Sequence, residues 1–435
     1  MKVMKRKLLK SNEYWARAEK IIPAGTQTFS KGPTQYVQGV APIYLENGYG
    51  SHVYDVDGNE YIDYALALGS VTLGYAYPAV NMAIEKQLRN GINFSLMHPL
   101  EVELSEMLIK IIPCAEMVRF GKNGSDATSG AVRVARAYTG REKIACCGYH
   151  GWQDWYIGTT TRDEGVPRST KELTIPFDYN KIESLEKIFA ENEGEIAAVI
   201  MEPIIMEEPR NDFVQNVKEL AHGNGALLIF DETVTGFRLA LGGAQEYLGI
   251  IPDLATFGKG MSNGMPISTI VGKREIMKKF EDVFFSFTFG GETLSLASAI
   301  TTIKEMQDKN AIEHFKIQGK KLMDGYNKLS RENMLQDYTQ CIGLPAHSAI
   351  YFRDTNGNES LELKSLFQQE VIKRGILTIG VHNISLSHSN EDIEKTLEAY
   401  EDSLKIMSQA VEEGNIEKIL EGKKIQPVFR KYLPD

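Results

Sequence analysis

The chain has 435 residues, of which 43% are hydrophobic and 24% are charged, and this composition predicts two or three domains with large cores. Its net charge of −10 argues against a protein that binds nucleic acid or an anionic membrane surface. No segment has the ~18 consecutive apolar residues of a membrane span.

We expect a cytoplasmic protein with reduced thiols. The N-terminus is basic but lacks the apolar core of a signal peptide. The four cysteines form no CxxC pair, and we predict no metal site.

Residues 1–70 predict an N-terminal segment with a helix and a hairpin, which we assign to a smaller domain. Ser11 is the predicted N-cap of the helix. The alternation of apolar and polar residues in HVYDVDGNEYIDY (52–64) around Asp57 and Gly58 predicts the hairpin. Five residues behind Ser11 recur at helical spacing: Tyr14, Trp15, Ala18, Ile21 and Ile22.

Residues 71–320 predict a large α/β domain with a mostly parallel central sheet. Amphipathic segments such as DFVQNVKELAHGNG (212–225) separate several apolar stretches, and this alternation is typical of parallel sheets covered by helices. The stretches predicted as strands are MVRF (117–120), KIACC (143–147), IAAVIMEP (196–203), ALLIFDE (226–232) and LATFGK (254–259).

Residues 321–435 predict a separate α+β domain. Long charged helical segments alternate there with three short stretches that we predict as strands: HSAIYFRD, GILTIG and NISLSHS.

Three of the central strands end in ionisable residues. Glu202, Asp231 and Lys259 follow one another at intervals of 29 and 28 residues, which fits successive strand–helix units. Ligands of such sheets bind beyond the carboxyl ends of the strands. We therefore expect two carboxylates and one amine along one edge of the sheet.

Two further turns lie near strand ends. In GKNGSDATSG (121–130) a glycine-rich stretch enters a helix, which favours a phosphate held by backbone N–H groups and Ser125. The alternative is a tight turn in which Ser125 or Asp126 only caps the helix. Tyr149 either stacks on a flat ligand or is an ordinary aromatic residue at a domain edge. For His150, the next residue, we expect a structural hydrogen bond and no catalytic role.

Together these residues describe one ligand, pyridoxal 5′-phosphate (PLP). A lysine condenses with the aldehyde of PLP. A carboxylate such as Asp231 keeps its pyridine nitrogen protonated, so that the ring takes up electrons from the substrate carbon. Lys259, once freed, is placed to move the substrate proton as an acid and base.

The order of motifs resembles the class III, fold type I aminotransferases, closest to their glutamate-1-semialdehyde 2,1-aminomutase branch. The motifs span about residues 20–400: YDVDGNEYIDY, NGSDATSGAVRVARAYTGR, YHG, MEP, DETVTGFR, FGKGMSNGMP and FTFGG. The resemblance implies the fold type I transferase fold, an enzyme with PLP as cofactor, and a small-molecule amine donor with an aldehyde or oxo acceptor.

The resemblance also implies a role for each matching residue. Lys259 is the Schiff-base lysine and Asp231 the partner of the pyridine nitrogen. Gly124 and Ser125 hold the phosphate, and Tyr149 stacks on the ring. Thr233 stands where the family usually has valine against the opposite ring face, and Glu202 lies near the cofactor hydroxyl. Thr288 reaches the phosphate of the cofactor in a neighbouring subunit, which implies a homodimer with shared sites.

The departures from the family concern the substrate. The segment GVHNISLSHS (380–389) has no arginine to clamp an α-carboxylate, and Lys31 stands where the aminomutases have an arginine. Lysine does not supply the same bidentate fork. We therefore favour an aminotransferase whose substrate lacks an α-carboxylate, such as a sugar-derived or other biosynthetic aldehyde.

Other functions stay open at this point. An aminomutase would use Lys31 in place of arginine, and a non-catalytic PLP-fold scaffold is the remote alternative. A dinucleotide dehydrogenase is disfavoured, because no GxGxxG follows an early strand.

Overall fold

The computed structural model describes residues 6–427. Residues 1–5, at the start of the predicted first domain, lie outside the described part. Residues 428–435, at the end of the predicted last domain, also lie outside it. The strands are β1 (Leu45–Tyr49), β2 (His52–Asp55), β3 (Glu60–Asp63), β4 (Met117–Gly121), β5 (Lys143–Cys147), β6 (Thr174–Pro176), β7 (Ile196–Met201), β8 (Leu227–Asp231), β9 (Leu254–Phe257), β10 (Ser268–Gly272), β11 (Thr339–Leu344), β12 (His347–Phe352), β13 (Ile376–Leu377) and β14 (Val381–Asn383).

Helices and loops make up the remaining chain, and helix α2 is a single turn whose backbone is left-handed. The helices are α1 (Leu9–Ile21), α2 (Leu66–Gly69), α3 (Pro78–Leu88), α4 (Pro99–Ile111), α5 (Gly124–Thr139), α6 (Asp154–Ile157), α7 (Arg168–Lys171), α8 (Ile182–Glu191), α9 (Phe213–Gly223), α10 (Ala244–Leu248), α11 (Arg274–Met277), α12 (Thr293–Asp308), α13 (Ala311–Glu332), α14 (Leu361–Lys373), α15 (Asn390–Glu413) and α16 (Ile416–Ile419). No helix between residues 6 and 427 is long and apolar enough to cross a bilayer.

The chain divides into two compact units. The large unit contains Gly69–Thr72 and Pro78–Ile312, and the small unit contains the chain up to Leu68, Leu73–Tyr77 and the chain from Glu313 onward. Each unit has its own sheets.

The large unit is built on a seven-stranded sheet in the order β4-β10-β9-β8-β7-β5-β6. The run from β9 to β6 is parallel, whereas β10 is antiparallel to both of its neighbours. The prediction of a mostly parallel α/β sheet is confirmed. The five predicted strands are all present, although several end one to two residues earlier than the apolar stretches suggested.

The centre of this sheet is buried on both faces, as continuous apolar strands require. Every residue of β7 and β8 is buried. Helix α5 covers one face because its small apolar residues, such as Ala127, Ala131 and Val134, pack against strand residues that include Ile200 and Ile229. Small side chains let the helix lie close to the strands, and this fixes where its N-terminus ends up.

The small unit has two sheets. One consists of the antiparallel strands β1, β2 and β3 with β13 added in parallel, and the other is the antiparallel sheet β11-β12-β14. Strands β2 and β3 form the predicted hairpin around Asp57 and Gly58. The His52 ring bridges Glu60 Oε1 at 2.8 Å and Asp392 Oδ1 at 3.0 Å, and the hydrogen bond to Asp392 is the main reason that the pKa of His52 is raised.

The prediction that Ser11 caps the first helix is wrong. Helix α1 begins at Leu9, and the Ser11 side chain instead accepts a hydrogen bond from the Ile43 amide at 3.3 Å. Asp57 supplies the cap, since its carboxylate accepts hydrogen bonds from the amides of Lys10 at 2.9 Å and Ser11 at 3.0 Å. A residue from the hairpin turn thus replaces the local cap.

The predicted strand NISLSHS is also wrong beyond its first residue. Strand β14 ends at Asn383. The chain then turns, because the Ser385 amide donates to His388 Nδ1 at 3.0 Å and the His388 amide donates to the Ser385 carbonyl at 3.1 Å. Side-chain to backbone bonds of this kind compete with a sheet ladder.

Candidate active site

Lys259 lies just beyond the carboxyl end of β9. The strand ends at Phe257 rather than at Lys259, because the chain turns there: Lys259 has φ 39° and opens a short 3₁₀ turn over Lys259–Ser262. A non-glycine residue in this left-handed region is strained. The turn is held by the Thr72 hydroxyl, which donates to the Gly260 carbonyl at 2.8 Å.

The Lys259 amine has no hydrogen bond and no salt bridge with any residue from 6 to 427. The residue is partly buried. Burial lowers the pKa of its ammonium group, although Glu202 and Asp231 attract the charge and oppose that shift. A lysine whose pKa is lowered has more of the neutral amine, which is the nucleophilic form.

Asp231 ends β8 and is almost completely buried, with 3% of its surface exposed. Its Oδ1 accepts hydrogen bonds from the Thr233 amide at 3.1 Å, the Thr233 hydroxyl at 2.6 Å and the Thr256 hydroxyl at 3.1 Å. Burial opposes the charge of the carboxylate. The hydrogen bonds from His150 and Thr233 outweigh it and lower the pKa of Asp231.

His150 connects Asp231 to the end of β5. Its Nδ1 lies 2.9 Å from Asp231 Oδ2, and its Nε2 lies 3.1 Å from the Cys147 carbonyl oxygen. Both partners are acceptors, and a neutral imidazole carries only one N–H. With its proton on Nδ1 the ring donates to Asp231, and with its proton on Nε2 it donates to the Cys147 carbonyl. The expected structural hydrogen bond of His150 is confirmed.

Glu202 follows the last residue of β7 and holds the chain around Tyr149. Its Oε1 accepts a hydrogen bond from the Tyr149 amide at 2.6 Å. Gly148 has φ 104°, and a Cβ there would lie 2.7 Å from Glu202 Oε1, so the close approach requires glycine. Burial and the charge of Asp231 raise the pKa of Glu202.

The N-terminus of α5 has free donors. The amides of Gly124 and Ser125 make no hydrogen bond within the part of the chain that the structure describes. The Asp126 carboxylate completes the helix start by accepting from the Asn123 amide at 2.8 Å. Free amides at the start of a 16-residue helix are suited to an anion such as a phosphate.

Ser125 is not a cap of this helix. Its hydroxyl oxygen accepts from the Trp152 amide at 3.3 Å, which leaves its proton able to donate. Gly151 lies against it with φ 109°, and a Cβ at Gly151 would lie 2.3 Å from Ser125 Oγ.

Thr233 lies beside both glycine-rich turns. A Cβ on Gly124 would lie 3.0 Å from the Thr233 methyl carbon, and a Cβ on Gly258 would lie 3.7 Å from it. The turn at α5, the turn before Lys259 and the carboxylate of Asp231 are thus neighbours around one side chain.

Tyr149, Thr288 and Lys31 are more exposed than these residues. Tyr149 has 45% of its surface exposed, with its ring edge-on to Tyr156. Thr288 is exposed in a turn of the large unit, where its carbonyl accepts from Asn93 Nδ2 at 3.2 Å. Lys31 is an exposed residue of the small unit, at the end of a 3₁₀ turn.

Sequence reasoning missed two groups in this site. It did not foresee that His150 pairs with Asp231, or that Thr256 contacts the same carboxylate. A threonine inside the otherwise apolar stretch LATF, in the strand beside Asp231, was an available indication of a polar contact.

The assembled groups fit PLP. Free helix amides and a serine hydroxyl suit a phosphate, a buried ionised carboxylate suits a protonated ring nitrogen, and an unpaired amine of lowered pKa suits an aldehyde. No cluster of three or more metal-ligating side chains occurs between residues 6 and 427.

Known proteins share this architecture. The family model for class-III aminotransferases matches residues 35–411. The 3-aminobutyryl-CoA aminotransferase of Cloacimonas acidaminovorans is 36% identical, over 92% of this chain and 98% of its own length. A glutamate-1-semialdehyde 2,1-aminomutase of Alkaliphilus oremlandii is also 36% identical, over 92% of this chain and 99% of its own.

A solved structure agrees with these relatives. The FumI protein of Sphingopyxis sp. MTA144, in its PLP internal aldimine form, superposes with a TM-score of 0.87 at 27% identity, over 95% of this chain and 100% of its own. The cofactor that the donor groups fit is therefore the one that this neighbour carries.

Replacing Ser125 tests the phosphate site. We expect Ser125→Ala to raise the Kd for PLP by about ten- to a hundredfold, because a hydrogen bond to a charged group is worth about 1.5–3 kcal/mol. Affinity for pyridoxal, which has no phosphate, stays unchanged. Fluorescence titration of the apoprotein with both compounds measures this.

Ser129→Ala is the matched control, since the Ser129 hydroxyl bonds Trp155 Nε1 one turn further along the same helix. It leaves both affinities unchanged. Equal loss of affinity for PLP and pyridoxal in Ser125→Ala would contradict a phosphate site at this helix.

Proposed function

This chain belongs to the class-III aminotransferase family of PLP-dependent enzymes, and we propose that its substrate is an aldehyde or oxo compound without an α-carboxylate. The amino group that it transfers comes from a small amine donor. The amino transfer rests on the unpaired, partly buried amine of Lys259, whose charge Asp231 attracts.

The residues of the site have separable tasks in this proposal. The N-terminus of α5, with Gly124 and Ser125, binds the phosphate. Asp231, kept ionised by its hydrogen bonds, holds a proton on the ring nitrogen. When bound, PLP supplies an electron sink for the substrate carbon that loses a proton.

Lys259 has two tasks. Its neutral amine is the group that would bond the cofactor aldehyde, and after release the same Nζ accepts the substrate proton and returns it. Burial favours the neutral amine for both steps. Glu202 positions the main chain at Tyr149, whose exposed ring would cover the cofactor.

We infer the substrate class from the absence of arginine at the two positions where related enzymes would bind a substrate carboxylate. The segment 380–389 has no arginine, and Lys31 offers a single point charge in place of a bidentate fork. One of the relatives that we compared supports this class, since it is named for 3-aminobutyryl-CoA, a compound with a thioester in place of a free carboxylate. Sugar-derived aldehydes belong to the same carboxylate-free class.

An aminomutase is the second candidate. The resemblance to glutamate-1-semialdehyde 2,1-aminomutase over 92% of the chain favours it. It would move the amino group within one molecule, with Lys31 facing the substrate carboxylate.

A half-reaction assay separates the candidates. We expect PLP-loaded protein mixed with a β-amino thioester or an alkyl amine to release one equivalent of oxo product as the visible absorbance of bound PLP falls. Lys259→Ala abolishes this release, whereas Lys31→Ala leaves it within about twofold, because the substrate has no carboxylate to pair with Lys31.

Conversion of glutamate-1-semialdehyde to its amino-ketone isomer, lost in Lys31→Ala, would instead establish the mutase. A protein that shows no PLP absorbance, or none that depends on Lys259, would establish a non-catalytic scaffold.

We also propose that the protein acts as a homodimer with shared sites. In the large unit, exposed apolar residues occur in two segments, one of which contains Thr288. The segments are joined by two hydrogen bonds: the Thr293 amide donates to the Ile92 carbonyl at 2.9 Å, and Asn93 Nδ2 donates to the Thr288 carbonyl at 3.2 Å. Exposed patches of this kind mark protein contacts. The surface consists of Ile92, Phe94, Leu96, Met97, Phe287 and Phe289.

Met97→Glu tests the dimer. Met97 has 82% of its surface exposed, so its replacement spares the core but places a charge in the proposed contact. We expect light scattering to show a dimer for the wild type and a monomer for Met97→Glu. Met334→Glu, at an equally exposed methionine of the small unit (77%), stays dimeric. A monomeric wild type would contradict the proposal.

A further inference from the structure

The donors to the Asp231 carboxylate are concentrated on one of its two oxygens. Four N–H or O–H groups point at its two oxygens: one from His150 to Oδ2, and two from Thr233 and one from Thr256 to Oδ1. An ionised carboxylate offers about four lone-pair sites. Oδ1 thus has three donors for about two sites, whereas Oδ2, with one contact, can still accept from a protonated ring nitrogen.

The Thr233 hydroxyl makes the shortest of these four bonds, 2.6 Å to Asp231 Oδ1. The Thr233 amide donates to the same oxygen at 3.1 Å, so the backbone contact persists whatever side chain stands there. The methyl group faces Gly124 and Gly258. Valine would keep that packing and remove only the hydroxyl.

We propose that Thr233 is a positioning residue whose hydroxyl, by donating to Asp231 Oδ1, stabilises the carboxylate's charge and so loosens the hold of Asp231 on the proton of the cofactor's ring nitrogen. This inference rests on the PLP chemistry proposed above. It gives the Thr233 hydroxyl an effect on the ring proton that valine, which has no hydroxyl, would not have. Hydrogen bonds to a carboxylate stabilise its charge and reduce its basicity.

Thr256 provides an internal comparison. Its hydroxyl donates to the same Oδ1 but at 3.1 Å, and it lies inside β9. Removing this donor acts in the same direction as removing the Thr233 hydroxyl, with a smaller effect because the bond is longer.

The test is the ¹⁵N NMR shift of ring-labelled PLP bound to the protein, followed against pH. We expect Thr233→Val to raise the pKa of the ring nitrogen by on the order of one unit relative to the wild type. Thr256→Val raises it less. Thr233→Ser, which keeps the hydroxyl but loses the methyl group, titrates like the wild type.

A ring-nitrogen titration that is the same in Thr233→Val and the wild type, with PLP bound through Lys259 in both, would overturn the inference and leave the proposed function intact. The inference also fails if Thr233→Ser shifts the titration as far as Thr233→Val does, because packing would then be the cause. A wild type that binds no PLP would overturn the proposed function itself.

Discussion

The site depends on one topological constraint: the parallel order of β7, β8 and β9 brings Glu202, Asp231 and the turn of Lys259 to the same edge of one sheet. Each of these strands is buried, so the charged residues occur at or just beyond the strand ends. Three consecutive strands that end together place two carboxylates near one amine. The glycine-rich start of α5 reaches the same place because small side chains pack that helix on the sheet.

The two carboxylates at this edge have pKa values that are shifted in opposite directions. Asp231 is held ionised by His150 and the threonine donors, whereas burial and the charge of Asp231 raise the pKa of Glu202. Lys259 is left without a partner among the described residues, and burial lowers its pKa. Two carboxylates with pKa values shifted in opposite directions, next to an unpaired amine, are the arrangement expected of a site that holds and moves protons.

Much of this was predictable from local pattern. Apolar stretches located the five central strands, and the Asp57–Gly58 turn located the hairpin, because both depend on neighbouring residues. The cap of α1 by Asp57 and the bond between His150 and Asp231 join residues 46 to 81 positions apart, and no periodicity encodes such pairs. The end of β9 was misplaced because the left-handed backbone of Lys259 is imposed by the turn around it.

The central claim is that Lys259 is the amine that bonds the cofactor. Borohydride reduction of the PLP-loaded protein, followed by peptide mass mapping, measures this directly. We expect one pyridoxyl group per chain, on Lys259, and its loss in Lys259→Arg. A pyridoxyl group on another lysine, or scattered over several, would contradict it.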